Sequence, residues 1–81
     1  MKNNLFAEIP VSVNEPTLEF LSNREASVEG SRGVLSYSEE LIRINLEKMT
    51  LSFHGRNLNL KSISASALII SGFIMQVNFD C

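Results

Sequence analysis

Ala26-Ser27-Val28-Glu29-Gly30, Leu51-Ser52-Phe53-His54-Gly55 and Leu68-Ile69-Ile70-Ser71-Gly72 share one layout. Apolar side chains recur at every second position, and a glycine closes each run. A period of two puts the apolar set on one face of a pleated strand, where a helix would need a period near 3.6. The same alternation returns in Leu41–Leu46 and Leu58–Ile63. These runs predict an all-β fold: a single small antiparallel β-sandwich or rolled sheet of short consecutive strands. At least six strands and almost no helix are expected.

Further strands are read outward from these runs. Leu18 and Phe20 alternate with Thr17 and Glu19, and Ser22-Asn23-Arg24-Glu25 reads as a turn. Gly30-Ser31-Arg32-Gly33 is a stronger turn, leading to a strand over Val34–Tyr37. Ser36 and Glu39 have the spacing of a helix-capping box, yet Ile42-Arg43-Ile44-Asn45-Leu46 alternates without a break, which favours strand. Gly55-Arg56-Asn57 is expected to end the strand that starts at Met49, and Ser62–Ser66 to be a connection. After Gly72 the apolar phase changes from Leu68 and Ile70 to Phe73, Met75, Val77 and Phe79. A bulge or bend at Gly72 would return both sets to one side. The expected core is Leu18, Phe20, Val28, Ile42, Ile44, Leu51, Phe53, Leu58, Leu60 and Ile70. Pro10 and Pro16 bracket Val11–Glu15, so residues 1–16 read as an N-terminal arm or edge segment, and 17–81 as the β domain.

Composition narrows the function. The chain has 81 residues, enough for one domain but a thin core. Hydrophobic residues make up 44% and charged ones 20%, a globular balance. The net charge is −2, and no two of the seven basic residues are adjacent, which argues against nucleic acid as a partner. Residues 1–40 carry seven acids and three bases, and residues 41–81 two acids and four bases, a mild polarity that fits both ordinary surface variation and complementary patches that guide assembly. Cys81 is the single cysteine, so no internal disulfide forms, as in a reducing compartment. Met1–Glu8 lacks the apolar centre of a signal peptide. Ser62–Phe79 is uncharged, but its serines, Gln76 and Asn78 exclude a spanning helix, so no direct membrane insertion is expected. A cytoplasmic location is the default expectation.

Candidate chemistry is sparse. His54 is the single histidine, at a polar-phase strand position, and a general base needs partners in reach. Cys81 has no evident activating neighbour in sequence. Glu39 and Glu40 are adjacent and, in extended chain, point to opposite faces. Gly30-Ser31-Arg32-Gly33 lacks the Lys-Ser/Thr and helix of a phosphate loop, and no Gly-x-Ser-x-Gly elbow is present. The residues therefore predict no catalytic, cofactor or metal site.

The uncharged end of the chain suggests a contact surface instead. Ser62–Phe79 carries nothing to blunt an exposed edge, so it is expected to be central in the sheet or to pair with another chain. Ile74, Gln76 and Asn78 share a half-apolar face in simple alternation. With Phe73 they form the candidate interface, most simply of a two-fold homodimer.

Leu35-Ser36-Tyr37-Ser38-Glu39-Glu40-Leu41-Ile42-Arg43-Ile44-Asn45, followed by Leu51-Ser52-Phe53-His54-Gly55-Arg56-Asn57-Leu58-Asn59-Leu60, resembles the YabP/YqfC sporulation protein family, and within it the YqfC branch. Ile69–Ile74 is similar to the family's strand–Gly–strand motif, and Leu21–Gly30 to its opening strand. The likeness covers residues 17–79, with departures at Ser62–Ser66 and Phe79–Cys81. It implies a small cytosolic protein of the mother cell in endospore-forming bacteria, with a membrane sporulation protein of the YqfD type as partner. It implies no enzymatic activity and no cofactor. The function expected is a non-enzymatic β interaction module that docks a membrane or spore-assembly partner. A self-assembling structural protein and a small-ligand binder are the alternatives; the unequal glycine spacings argue against a regular filament-forming solenoid.

Overall fold

The structure is a computed structural model that describes residues 16–81. Its strands are β1 (Thr17–Leu21), β2 (Glu25–Glu29), β3 (Gly33–Tyr37), β4 (Leu41–Asn45), β5 (Thr50–Ile63) and β6 (Ala67–Asp80). They form one six-stranded sheet in the order β1-β2-β6-β5-β4-β3, with every pairing antiparallel. No helix occurs among the described residues, and the sheet does not close on itself. The all-β expectation holds. The expected arm, apart from Pro16, lies outside the described residues.

The alternation predicts short strands throughout, but β5 and β6 are fourteen residues each. Gly55-Arg56-Asn57 does not end a strand. The ladder continues through it because β5 carries an extra residue there: Arg56 pairs with Phe73 and Asn59 with Ser71, leaving Asn57 and Leu58 opposite Gly72 alone. Asn57 takes φ 53°, a left-handed conformation that asparagine tolerates better than most residues. This bulge bends the long hairpin. On one side of the bend β6 pairs with β2 over residues 67–71; on the other, β5 pairs with β4 over 50–54.

The bend folds the sheet over its own apolar face. Phe20 on β1 meets Phe53 on the near half of β5 edge to face, with ring centroids 6.5 Å apart. The core between the two halves holds Ala26, Val28, Ile42, Ile44, Leu46, Leu51, Phe53, Leu58, Leu68, Ile70 and Ile74. Leu18 and Leu60 pack against it partly buried, while Phe20 stays 49% exposed, less covered than its pattern implied.

Both outer hairpins also grip the bend. In the β1–β2 turn, Arg24 O accepts from Gly72 N at 3.0 Å and Asn23 O from Ile74 N at 2.8 Å. In the β3–β4 turn, Glu40 O accepts from Gly55 N at 3.0 Å and Glu39 O from Leu58 N at 2.8 Å. Ser38 Oγ shapes that second turn by accepting from Leu41 N at 3.0 Å, so the residues before β4 make a turn and not a helix start. The four backbone bonds give partners to N–H groups at the bend. The bend also needs two glycines. A Cβ at Gly55 would lie 2.0 Å from Phe73 O, and one at Gly72, where φ is +131°, would lie 2.5 Å from Asn57 O.

The phase change in β6 has a different origin from the one expected. His54 pairs with Gln76 and Gly55 with Ile74, so the extra residue is Met75 and not Gly72. The even phase of Leu68 and Ile70 therefore runs on through Ile74, and the odd phase of Val77 and Phe79 takes over only after Met75. Phe73 and Met75, expected on the core side, are exposed.

Candidate functional site

The bent sheet has two seams where strands approach without forming a ladder. At the first, β3 lies near the far half of β5, and Leu60 N donates to the Tyr37 hydroxyl at 3.4 Å. β3 is an edge strand with the sequence Gly-Val-Leu-Ser-Tyr, and it contains no charge and no proline. Leu35 is its extra residue, since Val34 pairs with Ile44 and Ser36 with Arg43. Leu35 is 53% exposed and Tyr37 52%. Edges of natural sheets usually carry a charge or proline that discourages pairing with another chain. Here the nearest charges flank the strand at Arg32 and Glu39.

At the second seam, β1 faces the end of β6. From Gln76 to Asp80, β6 pairs with β5 alone, and β1 pairs with β2 alone. Between them opens a cleft of about 420 Å³. Leu18 of β1, Val28 of β2, Leu51 of β5 and Phe79 of β6 line it, with Leu46 and Met49 from the β4–β5 turn. Pro16, Thr17 and Cys81 complete the wall. The surface is almost wholly apolar, which suits docking of apolar groups better than acid–base chemistry. Sequence patterning does not reveal this cleft. Its walls come from four separate stretches of the chain, and only the fold brings them together.

The residues singled out by sequence are dispersed. His54 sits on the outer face in a cross-strand row with Leu41 and Gln76, and its Nε2 lies 3.5 Å from Asn78 Nδ2. Cys81 is exposed and borders the cleft. Glu39 and Glu40 act here through their backbone carbonyls, as described above. No group of three or more metal-ligating side chains occurs among the described residues.

The candidate interface does not form one face. Phe73 is exposed, and Gln76 Nε2 donates to Asn78 Oδ1 at 3.0 Å on the outer face. Ile74 is 6% exposed and belongs to the core, because the Met75 bulge separates it from Gln76 and Asn78. β6 is central beside β2 and β5 over residues 67–71, and becomes an edge only beyond the bend.

Two ion pairs join the acidic first half of the chain to the basic second half: Arg32 to Glu47 and Lys61 to Glu25, each at 3.1 Å. Only Lys61–Glu25 follows the polarity seen in sequence; Arg32–Glu47 joins a base of the acidic half to an acid of the basic half, and both pairs lie at the surface. No helix of the described residues is long and apolar enough to cross a membrane.

A family model described as the YabP family matches residues 13–81 of the chain. The match spans all six strands. No curated protein and no solved structure matches the chain.

Proposed function

The chain belongs to the YabP family, which suggests a sporulation-related role, and from that premise we propose that it is a non-enzymatic interaction module of spore formation. It acts in the mother-cell cytoplasm and docks a membrane or spore-assembly protein, for which the YqfD-type membrane protein is the candidate. The observation that supports docking is the β3 edge, which carries no charge and no proline and is interrupted by the bulge at Leu35. An extended segment of a partner adds there as a seventh strand, with its backbone satisfied by Gly33–Tyr37 and its side chains against Leu35 and Tyr37. Main-chain pairing gives affinity, and the two exposed side chains give selectivity.

The test is Leu35→Lys. Leu35 is exposed and stands outside the β3–β4 register, so the fold should survive. The substitution places a charge where the partner strand would lie. Tagged wild-type protein should capture a membrane or spore-assembly protein from sporulating cells, and the variant should lose it. Complementation of a deletion strain should fail in parallel. Normal capture and normal spore yield with Leu35→Lys would refute β3 as the docking edge. Capture of untagged copies of this same chain alone would favour self-assembly.

A further inference from the structure

Four chain segments cross the bend side by side, and hydrogen bonds fix their order. The β1–β2 turn lies beside β6, through Gly72 N to Arg24 O and Ile74 N to Asn23 O. β6 lies beside β5, where Phe73 pairs with Arg56. β5 lies beside the β3–β4 turn, through Gly55 N to Glu40 O and Leu58 N to Glu39 O. Across the strands, the band therefore runs Arg24, Phe73, Arg56, then Glu39 and Glu40.

This band is open to solvent. Arg24, Phe73, Arg56, Glu39 and Glu40 are all exposed. Phe73 stands two residues from Ser71, whose cross-strand row on the outer face also holds Glu25 and Leu21. Leu21 is 68% exposed, Phe73 50%, and Met75, the bulged residue of β6, 58%. Large apolar side chains gathered at one end of a sheet, with charges around them, mark a contact surface. None of the four charged residues belongs to an ion pair among the described residues, whereas Glu25 on the neighbouring row is already held by Lys61.

The charge order is self-complementary in one arrangement. We propose that a second copy of this chain packs its outer face on this band, about a two-fold axis that runs along the strands between β5 and β6. That axis reverses the order of the second copy. Arg24 of each chain then meets Glu39 and Glu40 of the other, and each Phe73 ring meets the other's Arg56, a cation–π pairing. An axis across the strands would keep the order and set Arg24 on Arg24 and glutamates on glutamates, which like-charge repulsion disfavours. A two-fold contact closes on itself, so the product is a dimer and not a filament. It uses outer-face side chains and not the backbone edge of β3, so it is independent of docking there.

Sedimentation equilibrium of the full chain is the first measurement. The contact is small, so loading runs to about 1 mM. A monomer–dimer equilibrium is expected, and added salt should weaken it. A monomer at every concentration would overturn the proposal, as would an open series of larger species.

The second measurement uses the symmetry. Arg24→Glu sets like charges together twice in each dimer, and so does Glu39→Lys combined with Glu40→Lys. Each variant chain should associate at least about tenfold more weakly than wild type. Mixed in equal amounts, the two should form a heterodimer of near wild-type affinity, because one contact keeps the native charges and the other carries them reversed. No gain on mixing would overturn the two-fold arrangement. Phe73→Ser should dissociate the dimer and retain the strand signature in circular dichroism; a folded variant that still dimerises would overturn the role of the band. Leu35→Lys should dimerise as wild type does, which separates this contact from the docking edge. Loss of the dimer in that variant would move the contact to β3 and overturn the band.

Discussion

Gly55→Ala should unfold this domain at temperatures where the wild type is stable, although it adds one methyl group. Gly55 needs no unusual backbone angle; the requirement is space. The new Cβ would lie 2.0 Å from Phe73 O, where contacts under 3.0 Å are essentially never seen. Relief requires a backbone shift of about 1 Å or more, which close-packed interiors resist. Phe73 cannot easily move, because its neighbours Gly72 and Ile74 are bonded to Arg24 O and Asn23 O. Gly55 is held in turn by its bond to Glu40 O at 3.0 Å. Overpacking costs about 1–3 kcal/mol, and a lost backbone hydrogen bond about 1 kcal/mol more, with a second at risk. A total near 3–5 kcal/mol is a large part of the roughly 4–12 kcal/mol expected for a domain of this size. The melting temperature should fall by about 12 °C or more, followed by circular dichroism. Gly33→Ala is the control. Gly33 has φ +136°, but a methyl group there would meet nothing within 4 Å, so it isolates conformational strain, worth about 1–3 kcal/mol. If Gly55→Ala melts within a few degrees of wild type, or is milder than Gly33→Ala, the close approach at the bend is wrong.

Four further outcomes follow from the packing. Phe53→Ala removes the largest fully buried side chain and its contact with Phe20, and should cost about 3–5 kcal/mol in urea denaturation. Ile74→Lys should abolish folding and not merely dissociate an oligomer, since it buries an unpaired ammonium; loss of the strand signature in circular dichroism checks this. Glu47→Ala breaks an exposed ion pair with Arg32 and should change stability by less than about 1 kcal/mol. His54→Ala and Cys81→Ser should both complement a deletion strain with wild-type spore yield; failure of a folded variant would point to chemistry at that residue.

The legibility of the fold in sequence has a physical boundary. Strand identity is local: Ile42-Arg43-Ile44 alternates whatever surrounds it, and the structure bears it out as β4. Face assignment is local only while pairing stays regular. Asn57, Lys61 and Met75 each fall at an irregularity in the β5–β6 register, and each shifts the side chains beyond it by one position. No short window of sequence displays those shifts, which is why simple alternation puts Ile74 outside and the fold puts it inside. Phe20 illustrates the converse: its alternation is correct and it faces inward, but its cover depends on what lies across the seam. The cleft walls at Leu18, Met49 and Phe79 are legible in sequence only as separate apolar positions, since nothing local states that three strand ends converge.

The position of β6 has a consequence for biosynthesis. This strand, residues 67–80, is the last of the six described strands and lies at the middle of the sheet. The β1–β2 hairpin reaches the remaining strands through β6, while β3 and β4 attach through β5. On the ribosome, β1 to β4 emerge as two separate hairpins with no ladder between them, and isolated hairpins are marginal in water. β5 adds a partner for β4 but leaves β2 without one. Only when residues 67–80 have cleared the exit tunnel can the two halves be joined, so the domain commits to its fold after synthesis of its strands and not during it. Until then Val28, Ile44 and Phe53 stay without their final cover, and a nascent chain paused before β6 is a ready client for a chaperone.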